Sequence, residues 1–380
     1  MKNWKIPLFK MYHDREDVKS VTSIIKRGMF WGLSSETIEL EKMITEKTGA
    51  KYSVVFNSGT SALHALMLAY GFKKNDEIIV PSFTFIATAN AVLFENSVPK
   101  FAEIEEDSYG LDPNDVTAKI NKNTKAIIPV HYAGKICKIN EIKKIAKEEK
   151  LILIEDAAEA LGSKLNNKKA GSFGDSSVLS FAWNKIITTG EGGAAVTNSN
   201  EIFKKLLLIR SHGRIDKESY FLSEKLPQYV TLGYNWRMSA INAALGISQL
   251  NKLEKLVRMR IKNANYLSKK LSKYDQIITP NVEKNSTHTY MMYTIRLKQG
   301  KKFRDELQTH LIREGIQAKI IFEPIHLTDF YREKFKCKKG MLPKTEEIAE
   351  QVLTLPMYPH LKKEEIDFMI ESISVYCEKN

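Results

Sequence analysis

The chain has few of the features that mark secreted, metal-binding or membrane proteins. Only three of its 380 residues are cysteines, and Cys137, Cys337 and Cys377 lie far apart and in no metal-ligand spacing. We therefore expect a reduced cytoplasmic protein without a metal site. No apolar run approaches the roughly 20 residues that cross a bilayer. The N-terminus has no signal-peptide core or cleavage site, so we expect no association with a membrane.

Negative charge is also scarce. The chain has 45 acidic residues against 58 lysines and arginines, which gives a net charge of +13. Such a charge raises nucleic acid as a partner. The lysines, however, lie in mixed runs such as residues 143–150, which are typical of solvated helix faces, and no helix-turn-helix, zinc-finger or aromatic RNA-binding motif occurs. We expect no nucleic-acid partner; the charge indicates a lysine-rich surface or an anionic small-molecule substrate.

Short apolar runs alternate with helical segments between about residues 50 and 200. Continuous runs of Val, Ile and Leu are typical of parallel strands buried on both faces. Residues 138–150, between two such runs, have the periodicity of an amphipathic helix. This βαβ alternation predicts an α/β fold. The predicted strands are residues 53–56, 77–80, 126–130, 151–155, 178–181 and 194–197.

The pattern changes after about residue 250, where helices and a small mixed sheet would form an α+β domain. We predict an N-terminal segment of residues 1–25 that packs on this domain, a large domain of residues 26–250 and a small domain of residues 251–380. The elements predicted in the small domain are helices at residues 250–271, 303–314 and 364–378 and strands at residues 289–296 and 318–322.

Two motifs after predicted strands could bind a cofactor. Residues 57–61 form a small-residue turn before a helix, and the helix-start N–H groups with the Ser58 and Thr60 hydroxyls could hold a phosphate. The same turn could equally be an ordinary helix cap. Phe85 follows the second strand and could stack on a planar cofactor, because ligands of α/β sheets bind beyond the carboxyl ends of strands. A core aromatic is the alternative for Phe85.

Two further motifs could supply catalytic groups. Asp156 ends a predicted strand, where an aspartate can keep a pyridinium nitrogen protonated or can simply cap a helix. Lys185 lies in a glycine-rich run at residues 180–193, and a lysine close to a carbonyl carbon can form a Schiff base. A lone lysine is usually a surface residue. The four motifs together, in order at successive strand ends, are more specific than any one of them.

The motifs closely resemble the DegT/StrS group of nucleotide-sugar aminotransferases over nearly the whole chain. This resemblance implies a fold-type I enzyme that uses pyridoxal 5′-phosphate, with a large domain built on a mainly parallel seven-stranded sheet and a smaller α+β domain. The motifs that carry it are Asn57-Ser58-Gly59-Thr60-Ser61-Ala62-Leu63, Pro81-Ser82-Phe83-Thr84-Phe85, Glu155-Asp156-Ala157-Ala158, Gly190-Glu191-Gly192-Gly193, Leu232-Gly233-Tyr234-Asn235-Trp236-Arg237-Met238 and Leu355-Pro356-Met357-Tyr358-Pro359.

The resemblance also implies roles for single residues around the cofactor ring. Lys185 would form the Schiff base, and Asp156 would pair with the pyridine nitrogen. Phe85 and Ala158 would cover the two faces of the ring, and Glu159 would lie near its hydroxyl.

The cofactor phosphate would be held by residues of the glycine-rich turn and of one later strand. The resemblance implies Gly59, Thr60 and Ser180 as phosphate ligands, next to Ser58 in the same turn. Asn235 would reach the phosphate bound by a neighbouring subunit, which makes a homodimer the functional unit.

Three residues are candidate substrate contacts, namely Trp31, Arg237 and His326. Trp31 lies where the family often has a substrate-lining loop. His326 could touch the substrate pyrophosphate or could stabilise the fold. Many members carry His or Gln at the position of Glu159; the Glu form with Asn184 is similar to the branch of perosamine synthases and bacillosamine- or legionaminate-pathway aminotransferases.

The expected reaction moves an amino group from L-glutamate to a keto group, at C4, of a nucleoside-diphosphate 4-keto-6-deoxy sugar, for surface polysaccharide or glycan biosynthesis. One alternative is a sugar dehydratase of the same fold, although such relatives carry histidine in place of the lysine that is present here as Lys185. A 3-keto sugar aminotransferase is another alternative. A non-catalytic DNA-binding regulator is the least favoured, because about 25 leading residues cannot supply a DNA-reading segment.

Overall fold

The computed structural model describes residues 3–215, 224 and 226–379. Its strands are β1 (Tyr52–Phe56), β2 (Glu77–Pro81), β3 (Val98–Ala102), β4 (Thr124–Ile127), β5 (Ile152–Asp156), β6 (Lys164–Leu165), β7 (Lys168–Lys169), β8 (Ser176–Ser180), β9 (Gly193–Thr197), β10 (Arg214–Ile215), β11 (Gln228–Tyr229), β12 (Ile277–Ile278), β13 (Ser286–Thr287), β14 (Tyr293–Leu297) and β15 (Val352–Leu355). Its α-helices are α1 (Arg15–Arg27), α2 (Ser35–Thr48), α3 (Gly59–Tyr70), α4 (Ala87–Phe94), α5 (Pro113–Lys119), α6 (Ile139–Glu148), α7 (Asn200–Arg210), α8 (Ala240–Leu250), α9 (Leu253–Leu271), α10 (Lys301–Arg313), α11 (Asp329–Phe335), α12 (Pro343–Gln351) and α13 (Lys363–Lys379).

Seven strands form the central sheet, in the order β1-β9-β8-β5-β4-β2-β3. Within this sheet β9 runs antiparallel to its neighbours, and the other six strands share one direction. The predicted α/β fold with a mainly parallel seven-stranded sheet is confirmed. Each of the six predicted strands overlaps an observed one, but the pattern missed β3, an edge strand that contains Pro99 and Lys100. Proline and charged residues are typical of edge strands and weaken the apolar signal.

Helices cover both faces of this sheet because successive strand side chains point to opposite sides. In β1, Val54 packs in the core beneath α3 and α7, whereas Val55 packs in the core with α2 and α6. In β2, Ile78 packs in the same core as Val54, and Ile79 packs in the same core as Val55. Both faces of the sheet are therefore buried, as the continuous apolar runs predict.

The later part of the chain has its own three-stranded antiparallel sheet, in the order β12-β14-β15. The expected strand at residues 318–322 is wrong: Lys319 forms only an isolated bridge with Thr354. The third strand is instead β15, whose four residues directly follow α12. The helices expected at residues 250–271, 303–314 and 364–378 correspond to α9, α10 and α13.

The N-terminal segment divides its contacts between the two parts of the chain. Ile6 bridges Ile316 in the small sheet region, and the Lys5 N–H donates to the Gly315 carbonyl. In α1, by contrast, Asp17 accepts a hydrogen bond from Ser248 in α8. The division into residues 1–25, 26–250 and 251–380 stays a prediction.

The shared direction of β1, β2, β5 and β8 brings their carboxyl ends to one edge of the sheet. The residues that follow β1 and β2 include Gly59 and Phe85, and Asp156 and Ser180 are the last residues of β5 and β8. The four sequence motifs therefore meet at one edge, where open α/β sheets bind ligands.

Candidate active site

The loop after β8 places Lys185 at this edge. Two backbone hydrogen bonds close its base, from the Phe181 N–H to the Gly192 carbonyl (2.9 Å) and from the Thr189 N–H to the Phe181 carbonyl (3.0 Å). Within the loop, the Lys185 N–H donates to the Ala182 carbonyl at 3.0 Å. The backbone at Lys185 is thus fixed relative to the sheet.

Lys185 forms a largely buried ion pair with Glu159. Its Nζ lies 3.3 Å from Glu159 Oε1, and the two side chains are 14% and 7% exposed. The second oxygen, Oε2, accepts the Ala133 N–H at 2.7 Å. Ala133 has φ 57°, in the left-handed region that non-glycine residues seldom adopt. The turn at Ala133 therefore orients the Glu159 carboxylate.

Asp156 is the second carboxylate at this edge. Its Oδ2 accepts the Thr88 hydroxyl at 2.8 Å, and its Oδ1 accepts the Ala158 N–H at 3.2 Å. Burial raises the pKa of the Asp156 carboxyl above its usual range, although Thr88, Ala158 and the nearby Lys185 charge act in the opposite direction. A buried carboxylate of this kind is stabilised by a cationic partner such as a protonated ring nitrogen.

The start of α3 forms a cradle for an anion. Ser58 caps the helix by accepting the Ser61 N–H at 3.0 Å. The N–H groups of Gly59 and Thr60 donate no hydrogen bond to any of the residues that the structure describes. Gly59 faces Ser180 so closely that a Cβ on it would lie 3.2 Å from the Ser180 Cβ. Two free N–H groups at a helix start, beside a hydroxyl, fit a phosphate group.

Gly193 allows β9 to pass beside this cradle. A Cβ built on Gly193 would lie 2.5 Å from the Gly59 nitrogen. No side chain fits at that distance, so the glycine motif before β9 permits a close backbone approach.

Aromatic side chains border the same edge. Phe85 is 60% exposed, and Ala158 is partly buried. The ring centroid of Phe322 lies 6.5 Å from that of Phe85 and 5.9 Å from that of Tyr132. Phe322 lies in residues 318–322, where the expected strand is absent. Its ring borders the site, which the sequence pattern did not predict.

The remaining predicted residues differ in accessibility. Asn235 is exposed. The carbonyl of the following residue, Trp236, accepts a hydrogen bond from the Asn57 N–H, just before α3. Trp31 is 45% exposed and donates from its ring nitrogen to the Ile24 carbonyl. Arg237 donates to the Ser211 hydroxyl at 3.4 Å. The roles given to Asn235, Trp31 and Arg237 stay predictions.

His326 is fully buried, and the structure favours its alternative role in the fold. Its Nδ1 lies 2.7 Å from the Ser82 hydroxyl, and its Nε2 lies 3.1 Å from Glu346 Oε1. With both ring nitrogens bonded to buried partners, the imidazole has no free polar atom for a substrate pyrophosphate.

Comparison with known proteins agrees with this geometry. The model of the DegT/DnrJ/EryC1/StrS aminotransferase family matches residues 11–374. The chain belongs to this family. It is a sugar aminotransferase that depends on pyridoxal phosphate, as the resemblance of its motifs implied.

Several relatives resemble the aminotransferase along most of its length. The GDP-perosamine synthase of Caulobacter vibrioides is 35% identical over 338 residues, 88% of each chain. The UDP-4-amino-4,6-dideoxy-N-acetyl-beta-L-altrosamine transaminase of Helicobacter pylori is 33% identical over 368 residues, 95% of this chain and 94% of the relative. A Geobacillus stearothermophilus protein named pleiotropic regulatory protein is 32% identical over 379 residues, 98% of each chain.

Solved structures resemble the aminotransferase equally well. Helicobacter pylori PseC, described as an aminotransferase involved in the biosynthesis of pseudoaminic acid, has a TM-score of 0.92 at 30% identity, over 99% of this chain and 100% of its own. S. venezuelae DesV, solved in complex with a ketimine intermediate, has a TM-score of 0.88 at 28% identity, over 96% of this chain and 94% of its own.

Sequence reasoning missed three contributors to the aminotransferase site. Thr88 bonds Asp156 from α4, the Ala133 N–H bonds Glu159, and His131 bonds Glu155 at 2.9 Å beneath the edge. Thr84 and Thr88 have hydroxyls 3.1 Å apart, but Thr84 precedes α4, so helix periodicity gave no signal for this contact.

Metal-ligand clusters, membrane-spanning helices and cysteines were compared in the described part of the aminotransferase. There, no group of three or more His, Cys, Asp or Glu side chains is arranged to hold a metal ion. None of the helices described combines the length and the apolar content of a membrane span. All three cysteines are free and buried.

Proposed function

We propose that this aminotransferase moves the amino group of L-glutamate to the C4 keto group of a nucleoside-diphosphate 4-keto-6-deoxy sugar. The observation that carries the proposal is the Lys185–Glu159 pair, with a 3.3 Å contact beside the buried Asp156. An amine next to a carboxylate at a ligand-binding edge is equipped for proton transfer. The names of two relatives support the sugar class, because one is a perosamine synthase and the other a 4-amino sugar transaminase.

The residues at the edge fit pyridoxal phosphate. Gly59, Thr60 and Ser180 would hold its phosphate, and Asp156 would bond its ring nitrogen. Bound there, the cofactor supplies an electron sink for negative charge that develops on the substrate carbon.

The protein groups would then have separate tasks. Lys185 would hold the cofactor and, once released, would move a proton as general acid and base. Asp156 would keep the ring nitrogen charged, and the Thr88 hydroxyl orients that carboxylate. Glu159, held by the Ala133 N–H, would orient the Lys185 amine and the ring hydroxyl. Phe85 and Ala158 would exclude water from the two ring faces.

We also propose that two copies form the working unit. Several apolar side chains are exposed, including Trp31, Tyr229 and Leu232, of which Leu232 is 76% exposed. Exposed large apolar side chains of this kind can be covered by a second protein chain. A second copy covering this surface would bring Asn235 towards the phosphate of its neighbour, as the family resemblance implies.

The substrate assignment can be tested with a panel of GDP-, UDP- and dTDP-linked 4-keto-6-deoxy sugars, together with a nucleotide-linked 3-keto sugar. Each is incubated with the enzyme, pyridoxal phosphate and L-glutamate, and 2-oxoglutarate release is measured together with the mass of the sugar product. We expect one nucleotide series to give a 4-amino sugar. Activity restricted to a 3-keto sugar would overturn the C4 assignment, and a product that has lost water without gaining nitrogen would indicate a dehydratase.

A further inference from the structure

A fully buried histidine and glutamate lie directly beneath the candidate site. His131 Nε2 is 2.9 Å from Glu155 Oε2, and both side chains have no exposed surface. The His131 Nδ1 accepts the Cys137 N–H at 3.3 Å. Because the Glu155 carboxylate can only accept, the His131 Nε2 carries a proton and donates to it.

Glu155 organises the turn that leads into β8. Its carboxylate accepts the N–H groups of Phe173 (2.6 Å), Gly174 (2.7 Å) and Gly171 (2.9 Å) in addition to His131. Four donors satisfy a buried carboxylate, and the loss of one leaves it under-satisfied in a region of low dielectric. The pair therefore ties the strand end at Asp156 to the turn before β8.

The segment at residues 131–133 also contacts the two acidic residues that are assigned to the cofactor site. The His131 N–H donates to the Asp156 carbonyl (3.1 Å), and the Asp156 N–H donates to the Pro129 carbonyl (2.9 Å). Two residues further on, the Ala133 N–H holds Glu159 Oε2 at 2.7 Å. One short segment thus sets the backbone of Asp156 and the side chain of Glu159.

We propose that His131 is a positioning residue, which through its contact with Glu155 fixes the segment at residues 131–133 and so aims Asp156 and Glu159 at the cofactor. His131 itself touches neither cofactor nor substrate in this arrangement. The inference rests on the roles given to Asp156 and Glu159 in the proposed function. By this proposal, the His131 side chain affects the binding of the cofactor as well as the packing of the core.

Two substitutions separate this role from a general effect on packing. In His131→Gln the longer side chain carries an amide nitrogen to about the position of Nε2, so it retains a donor for Glu155. In His131→Asn the amide reaches only about as far as Nδ1, so the donor is lost. His310→Asn is a matched control, because His310 bonds the Ser372 carbonyl in the small domain (3.0 Å).

The readouts are the dissociation constant of pyridoxal phosphate, the circular dichroism band of the bound cofactor, and the melting temperature of the cofactor-free protein. We expect His131→Asn to weaken cofactor binding by about tenfold or more and to change the band, since small misplacements of binding groups have effects of this size. His131→Gln should stay within about threefold of the wild type. His310→Asn should lower the melting temperature and leave both cofactor readouts unchanged.

Equal cofactor affinity and bands in His131→Asn and His131→Gln would overturn the proposal. If His131→Asn does not fold, Glu155→Leu removes the acceptor of the same contact, and an unchanged cofactor band in that variant would overturn the proposal too. If neither the His131 variant nor the Glu155 variant folds, the His131–Glu155 contact is required for folding only. No sugar is needed, so a wrong sugar assignment does not affect the result. Asp156→Asn and Glu159→Gln with wild-type affinity and band would instead refute the site assignment.

Discussion

The Glu159 carboxylate contacts the Lys185 amine, and the Ala133 N–H fixes the position of that carboxylate. One oxygen lies 3.3 Å from Lys185 Nζ, and the other accepts the Ala133 N–H at 2.7 Å. Because Ala133 belongs to the turn after β4 and Lys185 to the loop after β8, this contact joins two loops at the same sheet edge. Tertiary contacts thus set the position of the Lys185 amine, whereas most lysines lie on solvated surfaces.

The first prediction concerns Lys185. We expect Lys185→Ala to lose the visible absorbance band of the lysine-bound cofactor and to reduce turnover by at least about a thousandfold, because the amine supplies both attachment and proton transfer. Turnover is followed as 2-oxoglutarate release from L-glutamate, and binding as absorbance. Lys144→Ala is the control, since Lys144 on α6 is 77% exposed and should be silent. An active Lys185→Ala enzyme with the wild-type band would remove this lysine from the mechanism.

The second prediction concerns Asp156 and pH. Burial raises the pKa of its carboxyl, so ionised Asp156 destabilises the cofactor-free fold above the pKa of the unfolded chain. We expect cofactor-free Asp156→Asn to melt about 2 °C higher than the wild type at pH 7. This gain should shrink as the pH falls through the raised pKa of the wild-type carboxyl, because the folded protein then binds the proton as well.

The same substitution should reduce transamination by about a hundredfold or more, because a neutral amide does not keep the ring nitrogen charged. Melting curves of the cofactor-free proteins between pH 4 and 8 measure the first effect, and 2-oxoglutarate release measures the second. A stability gain that grows as the pH falls would contradict the expected sign.

The positions of the strands that lead to the active edge were accessible from the sequence because buried parallel strands have continuous apolar runs. The runs before Gly59, Phe85 and Asp156 are of this kind. Edge strand β3 was missed because Pro99 and Lys100 interrupt its pattern. Residues 318–322 have the composition of a strand, but they pair only through Lys319, since β15 occupies the position beside β14.

The contacts that support the site residues were less accessible from the sequence than the fold. Thr88, His131 and Ala133 contribute through hydrogen bonds to groups 68, 24 and 26 residues away in the chain. Ala133 acts through its backbone N–H, for which side-chain identity gives no signal. Such partners depend on how loops meet after the sheet has formed, and local periodicity contains no information about that.

The third prediction concerns Thr88. Its hydroxyl donates to Asp156 at 2.8 Å, and hydrogen bonds to charged groups contribute about 1.5–3 kcal/mol. We expect Thr88→Val to lower kcat by about tenfold or more, because it keeps the shape and removes the donor. Thr88→Ser retains the hydroxyl and should recover most of the activity. Equal kcat values for the Val and Ser variants would show that this bond does not affect the reaction.

The fourth prediction decides between the two roles considered for His326. Removing its ring takes one buried hydrogen bond from Glu346 and one from Ser82, and the loss of a buried partner costs about 1–3 kcal/mol. We expect His326→Ala to lower the melting temperature clearly while the folded enzyme keeps the wild-type KM for the nucleotide sugar. His326→Asn should be intermediate in stability, since its amide can still reach Ser82 but is too short for Glu346. A KM that rises about tenfold at unchanged melting temperature would mean that His326 binds the substrate after all.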